Sequence, residues 1–408
     1  MYIDEYNKNL ASQLFFSKEA AEYLGISVQR LNKLIQTGKI KPLKKNNSGT
    51  VFLYSELEKR KKELAMFSEI GGESSIATFK IDTPTKQEAL NFSAIMNLLN
   101  CSEKKLSPLF EKISKLVDIQ SPIPDCLDIW SDFFKFNNEE ILASYNKAKK
   151  EFVKLKADDE IIKLGDIEYP DMLARTEEAP RFLYLRGDKS LLFDDRTVAL
   201  VGSRQASEEG KRNTERVVDI LGRNGIIIVS GLARGIDVTA HIAALKNNFK
   251  TIAVIGTHLN QYYPSENREV QLEIEKKGLI VSQFSPSTKT ERWFFPLRNG
   301  VMSGMSQATV IMEAGETSGA LKQATFALKQ KHLVLIPQNI FKIPGIIWPA
   351  KFEKKGAIKV NNPKDIIKEL SKRNVYKIEK EIELDLDYSG CDKMIIDQEA
   401  EYNASDHT

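Results

Sequence analysis

Three turns of the sequence combine glycine with hydroxyl residues, and two of them add an arginine, in a way that favours phosphate binding. They cover residues 202–210, 230–237 and 313–320, and each follows an apolar run and opens an amphipathic stretch. Glycines let the backbone approach a ligand closely, and free N–H groups at a helix start attract phosphate. We call these segments the first, second and third turns and expect them to form one polyanion site. The residues expected to line it are Gly202, Ser203, Arg204, Ser207, Ser230, Gly231, Arg234, Gly235, Asp237, Glu313, Ser318 and Gly319.

A fourth segment, KTERWFFPLRN at residues 289–299, places basic residues on either side of three consecutive aromatic rings. Single-stranded nucleic acids are held by cations on the phosphates and by rings stacked on the bases, each base contributing roughly 1–3 kcal/mol. The residues expected to make such contacts are Arg292, Phe295, Arg298 and Asn299. On sequence alone, an alternative with the aromatic rings in the core and the arginines in solvent stays open.

Other kinds of phosphate site and of enzyme do not fit the sequence. The first turn lacks G-x-G-x-x-G and no acid ends the second apolar run, which disfavours NAD. The absence of G-x-x-x-x-G-K-[ST] excludes a P-loop NTPase. No nucleophile elbow, metal-ligand cluster or carboxylate pair is present. The sequence therefore predicts a binding protein with no cofactor, no metal ion and no catalytic residues.

A parallel sheet would bring the three turns together. From Arg196 onward, six short apolar runs alternate with helical stretches: TVALVG, GIIIVSG, TIAVIG, LIVSQF, ATVIMEA and HLVLIP. Runs that are apolar on both faces are typical of a parallel sheet covered by helices on both sides. Ligands of such sheets bind beyond the carboxyl ends of the strands. We predict an α/β fold with a doubly wound, mostly parallel Rossmann-like sheet, preceded by a small winged helix-turn-helix and a helical segment.

These patterns divide the chain into five segments. The predicted segments are a winged helix-turn-helix at 1–66, a linker rich in Gly, Ser and Thr at 67–85, a helical domain at 86–159, the Rossmann-like domain at 160–358, and a C-terminal helix with an acidic tail at 359–408.

Charge and cysteine content bear on partners and setting. From Tyr376 onward there are three basic and ten acidic residues, whereas the preceding 375 residues carry 56 basic and 46 acidic ones. A basic body is a weak indication of a polyanionic partner. The scattered Cys101, Cys126 and Cys391, together with the lack of an 18-residue apolar run, predict a cytoplasmic protein without a membrane segment.

Together, the motifs resemble the DprA/Smf family of DNA-processing proteins. VALVGSRQASEEG, IIIVSGLARGIDVTAHIAAL, TIAVIGTHLNQYYPSEN, FPLRN and EAGETSGALKQA occur in the family's order over residues 160–358. The resemblance implies a homodimer that binds single-stranded DNA through the residues named above and acts with a strand-exchange recombinase. This chain departs from the family pattern at Gln283, Gly300, Lys322, Gln323 and Gln338.

The N-terminal segment resembles a second family, the excisionase/MerR-type winged helix-turn-helix. The similar stretch begins FFSKEAAEYLGISVQRLNKLIQTGKIKPLKKNNSG. In this motif the second helix enters the major groove of duplex DNA. The implied duplex-contacting residues are Gln29, Arg30, Asn32, Lys33, Lys44 and Lys45. Docking of another protein is the alternative use of this motif.

The leading prediction is a DprA-like single-stranded DNA-binding protein of DNA processing or recombination, in DNA uptake or mobile-element biology, with an added duplex-binding head. Two other classes stay open. One is a nucleotide-binding sensor or nucleotide-cleaving enzyme of the related Rossmann-like group. The other is a transcription regulator whose large domain only dimerises.

Overall fold

The computed structural model describes residues 14–24, 28–36, 40–46, 49–54, 56–58 and 79–372. The chain divides into two units, residues 1–359 and 360–408. Most of the predicted linker and the whole acidic tail from Tyr376 lie outside the described residues. The five-segment division of the chain stays a prediction.

The described part of the N-terminal segment forms a pair of helices beside a small antiparallel sheet. Its elements are β1 (Leu14–Phe16), α1 (Ser17–Leu24), α2 (Val28–Gln36), β2 (Lys44–Asn46) and β3 (Gly49–Leu53). Within these residues the strand order is β1-β3-β2. Leu31, Ile40 and Phe52 are fully buried between the helices and the sheet. The predicted helix-turn-helix is confirmed. Strands β2 and β3 lie at the position predicted for the wing.

A helical layer follows. Its helices are α3 (Pro84–Leu99), α4 (Glu103–Ile113), α5 (Leu127–Phe134) and α6 (Asn138–Phe152). Helix α3 begins inside the predicted linker because Thr83 caps it, with its Oγ1 accepting from the Lys86 amide at 3.3 Å, and proline follows at the first helical position. Phe92, Phe110 and Phe152 are buried in one core with Phe182 and Tyr184 of the sheet. The layer thus covers one face of the sheet.

Within the described residues, nine strands form the central sheet. They are β4 (Glu160–Lys163), β5 (Phe182–Gly187), β6 (Thr197–Gly202), β7 (Ile227–Ser230), β8 (Thr251–Ile255), β9 (Leu279–Ser282), β10 (Ala308–Glu313), β11 (Leu333–Pro337) and β12 (Ile358–Val360). Their order is β12-β11-β10-β6-β7-β8-β9-β5-β4. The six predicted apolar runs are β6 to β11, and these strands pair in parallel. The mostly parallel α/β fold is confirmed, with β4 and β5 added in antiparallel pairing.

The sheet is doubly wound. The helices from α7 onward are α7 (Asp171–Ala174), α8 (Glu208–Arg223), α9 (Ile236–Lys246), α10 (Arg268–Lys277), α11 (Phe294–Gly304), α12 (Gly319–Lys329) and α13 (Trp348–Glu353). The second unit contains α14 (Pro363–Lys372). Helices α11 and α12 pack on one face of the sheet, and α10 packs on the other face together with the helical layer. The chain runs from β6 outward to β9 and then returns to place β10 on the other side of β6. This reversal opens a crevice at the carboxyl ends of β6 and β10.

Candidate functional site

The structure brings the three turns together at one edge of the sheet. They follow β6, β7 and β10, which are neighbours in the order β10-β6-β7. The Ser203 amide donates to the Glu313 carbonyl at 2.7 Å, and the Ile236 amide donates to the Ser203 carbonyl at 3.2 Å. The first turn is therefore hydrogen-bonded to both of its neighbours, at the crevice where parallel sheets bind ligands.

Close packing of the turns requires glycine at position 235. Gly235 has a φ of +72°, and a Cβ added there would lie 2.2 Å from the Ser203 carbonyl oxygen. Any side chain would force the first and second turns apart. Gly235 thus packs one turn against the next.

Ser207 and Glu313 are hydrogen-bonded to each other. The Ser207 hydroxyl donates to Glu313 Oε2 at 2.6 Å, and the Ser207 amide lies 3.1 Å from Oε1. The same hydroxyl accepts from the Gly210 amide at 2.9 Å and so caps α8. A carboxylate of the chain itself therefore occupies the positive N-terminus of this helix. Direct contact of Ser207 or Glu313 with a ligand stays a prediction.

The open part of the edge lies at Arg204 and along the third turn. Arg204 is exposed, and within the described residues it has neither an ion-pair partner nor a hydrogen bond. Ser203 is half-buried beside it. In the third turn Ser318 caps α12, and added Cβ atoms at Gly315 and Gly319 would meet nothing within 4 Å. A ligand can approach the backbone at both glycines.

Arg234 is also exposed, but it is paired. Its Nη2 donates to Glu266 Oε2 at 2.6 Å, and its Nε contacts Oε1 of the same carboxylate. This hydrogen-bonded pair raises the pKa of Arg234. Exposed ion pairs are weak because water and salt screen them, so a phosphate group can compete with Glu266 for this cation.

Arg298 and Asp237 lie beneath the turns, where burial leaves them 5 % and 6 % exposed. The guanidinium fills the space beside Gly231, where an added Cβ would lie 1.9 Å from Nη1. Nη1 donates to the Val254 carbonyl. Burial lowers the pKa of Arg298 to about 10, against the raising effect of Asp237, so the guanidinium remains charged at neutral pH. Arg298 thus links α11 to the second turn and to the end of β8.

Ser230 is buried as well. Its side chain is fully buried and donates to the Leu200 carbonyl at 2.6 Å. Ser230, Arg298 and Asp237 therefore support the edge from below. Little or none of their surface is accessible, and their contact with a ligand stays a prediction.

The aromatic segment is divided between core and surface. Phe294 is buried and stacks on Phe284, with ring centroids 4.0 Å apart. Arg292 is exposed, and Trp293 is 51 % exposed. Phe295 is half-buried, and its ring centroid lies 5.0 Å from that of Tyr263, which is 49 % exposed. Of the three consecutive rings, Phe294 thus lies in the core, whereas Trp293 and Phe295 are exposed or half-buried.

Two further predicted groups have more limited support. Asn299 reaches the third turn through Nδ2, 3.5 Å from the Gly319 carbonyl. In the helix-turn-helix, Asn32 and Lys44 are exposed. The side chains of Gln29, Arg30, Lys33 and Lys45 lie outside the described residues, so the duplex-contacting set stays a prediction.

Sequence reasoning missed Tyr263 and Glu266. Both follow β8, in the stretch TIAVIGTHLNQYYPSEN. The position of β8 next to β7 could have marked this stretch, because parallel strands end at the same edge.

The described residues offer no membrane span and no metal centre. None of their helices is long and apolar enough to cross a bilayer. They also contain no group of three or more His, Cys, Asp or Glu side chains that could hold a metal ion.

Arg298→Met should destabilise the fold by about 3 kcal/mol at neutral pH, because Asp237 loses the cation that offsets its burial. Burial raises the folded-state pKa of Asp237, against the lowering effect of Arg298. In the unfolded chain an aspartate has a pKa of about 4. As the pH rises above that value, ionisation of the buried Asp237 carboxyl therefore lowers the free energy of unfolding. Urea unfolding should show a larger deficit for Arg298→Met at about pH 7.5 than at about pH 4.5.

The control is the double variant Asp237→Asn/Arg298→Met, which leaves no uncompensated carboxylate. It should lose less stability at neutral pH than Arg298→Met alone. A deficit that does not change with pH would contradict the proposed coupling.

Comparison with known proteins identifies the family. The model of the DNA recombination-mediator protein A family matches residues 160–371, and a helix-turn-helix domain model matches residues 17–64. DNA processing protein DprA of Bacillus subtilis is 33 % identical over 220 residues, which cover 52 % of this chain and 72 % of the relative. DNA processing protein DprA of Streptococcus pneumoniae is 38 % identical over 179 residues, covering 44 % of this chain and 61 % of the relative.

A solved structure extends the likeness beyond the segment that the family model matches. The X-ray structure of DprA from Streptococcus pneumoniae covers 70 % of this chain and 95 % of its own, at 29 % identity and a TM-score of 0.51. The family match includes β4 to β11 and all three turns. The chain therefore belongs to the DNA recombination-mediator protein A family.

Proposed function

We propose that this protein binds single-stranded DNA along the edge formed by the three turns and acts in DNA processing or recombination. The observation that carries the proposal is the exposed Arg204, without an ion-pair partner in the described residues, on an edge that also exposes aromatic rings. Cations and rings on one surface can hold phosphates and unpaired bases together. Relatives at 33 % and 38 % identity carry the name DNA processing protein, which supports this function.

The parts of the edge take different roles in this proposal. Arg204 and the open backbone at Gly315 and Gly319 contact phosphates. Trp293 and Tyr263, each about half exposed, stack on bases. Because every base has an aromatic face, such stacking favours single strands with little sequence preference.

The N-terminal helix-turn-helix adds a second DNA contact in the same proposal. The domain match at residues 17–64 supports binding of duplex DNA, and Asn32 and Lys44 are exposed for it. Residues 1–66 would then direct residues 160–358 to sites where single strands arise. Family membership supports a homodimer and a strand-exchange recombinase as partners, and a cytoplasmic setting in DNA uptake or mobile-element biology.

A nucleotide-cleaving enzyme would need an accessible acid or base at this edge. The acids of the second and third turns are committed to structure, since Asp237 is buried near Arg298 and Glu313 is bonded to Ser207. Glu316 accepts from the amides of Ile347 and Trp348. In these two turns the arrangement favours DNA binding over catalysis.

Arg204→Ala should weaken binding of an oligo-dT by roughly ten-fold, which corresponds to about 1.4 kcal/mol for one lost charged phosphate contact. The salt dependence should also weaken, with the slope of log K against log salt falling by about 0.7. Fluorescence anisotropy across a sodium chloride series measures both quantities.

Arg223→Ala is the matched control. It removes the same charge at the opposite end of α8, where Arg223 pairs with Asp219 at 2.9 Å. It should leave affinity and slope unchanged. If the two folded variants bind oligo-dT with equal affinity and equal salt slope, Arg204 does not contact a phosphate of the strand.

Glu266→Gln should act in the opposite direction. Losing the carboxylate charge frees Arg234 for phosphate, so affinity should rise by a few-fold and the salt slope should steepen by about 0.7. The same anisotropy titration tests this, and Glu269→Gln on α10, which removes an equal charge, is the control. Unchanged affinity would show that Arg234 does not meet the strand.

A further inference from the structure

The segment that follows β11 carries an unusual concentration of positive charge. Residues 338–359 contain five lysines and one acid, Glu353. We call these five the lysine edge: Lys342, Lys351, Lys354, Lys355 and Lys359. All five are exposed, and no ion pair joins any of them to another residue that the structure describes.

Several other lysines of the sheet domain form ion pairs, although Lys246, Lys289 and Lys322 are exposed without one among the described residues. Lys211 pairs with Glu208, Lys277 with Glu273, and Lys329 with Glu177, each at 2.7 Å. The lysine edge differs from these three pairs because none of its five side chains forms an ion pair with a described residue. Two of them lie over aromatic rings, Lys355 Nζ at 5.6 Å from the Phe352 centroid and Lys359 Nζ at 5.3 Å from that of Phe341. Such a row of unpaired cations creates a local positive potential that attracts a polyanion.

The lysine edge is continuous with the third turn. The amides of Ile347 and Trp348 donate to Glu316 Oε1 at 2.5 and 2.9 Å, and Trp348 Nε1 donates to the Ala314 carbonyl at 2.9 Å. These two amides, together with the charge of Lys351, lower the pKa of Glu316. Lys351, whose charge acts on Glu316, thus lies near the turn that leaves its backbone open.

The segment is also held in place. Trp348 is 2 % exposed, and Phe352, one turn later on α13, is buried beside it with ring centroids 6.0 Å apart. A buried anchor on the same short helix as Lys351 fixes where the lysines can reach. Ordered cations lose less conformational entropy on binding than cations on a free tail.

We propose that the lysine edge carries the phosphates of a single strand that continues past the third turn, beyond β11. This inference rests on the proposed single-strand binding and extends its path. The exposed large apolar side chains of this segment are Ile343 and Ile347, and exposed aromatic rings are absent among its described residues. The lysine edge therefore contacts the backbone of the strand and not its bases, and it adds affinity only when the strand is long enough to reach it.

The test compares two triple variants of the full chain. One is Lys351→Gln/Lys354→Gln/Lys355→Gln in the lysine edge. The control is Lys147→Gln/Lys149→Gln/Lys150→Gln, which removes the same charge from exposed positions on α6. Helix α6 belongs to the layer that packs against β5, and in the sheet β5 lies on the opposite side from β11.

Anisotropy is measured with oligo-dT of about 8 and about 30 nucleotides across a salt series, since single-strand sites span roughly 4–16 nucleotides. For the long strand, the lysine-edge variant should lose about 2 units of salt slope, from three lost contacts at about 0.7 each. Its binding of the short strand should match that of the unmodified protein. The α6 variant should match the unmodified protein with both strands.

The outcomes separate this inference from the function on which it rests. If the unmodified protein binds neither strand, the proposed function fails and the inference with it. If binding depends on Arg204 but the lysine-edge variant matches the α6 variant on the long strand, only the lysine edge is refuted. An equal loss on short and long strands would also overturn it, because the lysines would then belong to the primary site. Matching urea midpoints of the variants establish that each is folded.

Discussion

Burying the charge of Arg298 beneath the turns costs free energy that only the surrounding acceptors can offset. The Val254 carbonyl and the nearby Asp237 carboxylate supply that compensation, and Gly231 leaves the space that the guanidinium needs. One side chain of α11 thereby joins the end of β8 to the second turn. Because the second turn is bonded to the first and the first to the third, the buried guanidinium packs against one member of a connected set of turns.

Carboxylates of the chain itself complete the edge. Glu313 accepts a hydrogen bond from Ser207 of the first turn, at the start of α8. Glu266 accepts from Arg234, and Glu316 accepts from the Trp348 amide in the segment that leads to the lysine edge. Each acid satisfies donors that would otherwise attract a ligand. Arg204 is the exposed cation of the turns that none of these acids engages, so it is the natural first contact for a phosphate.

The sequence allowed the sheet to be predicted well, because strands buried on both faces read as continuous apolar runs. It was less informative about individual side chains. The run of basic and aromatic residues predicts a ligand-contacting cation at Arg298, yet in the structure it lies on the buried stripe of α11. Phe294, Val301 and Met302 share that stripe at helical spacing. That spacing was visible in the sequence. The pairing of Arg234 with Glu266 was not, because it joins turns that meet only once β7 and β8 are adjacent.

Amide hydrogen exchange, with and without a saturating oligo-dT, tests most directly whether the single strand binds at the three turns. We expect slower exchange in the three turns and in residues 289–295, with the helical layer from α3 to α6 unchanged. Binding accompanied by protection confined to the helical layer, with the three turns unaffected, would contradict this expectation.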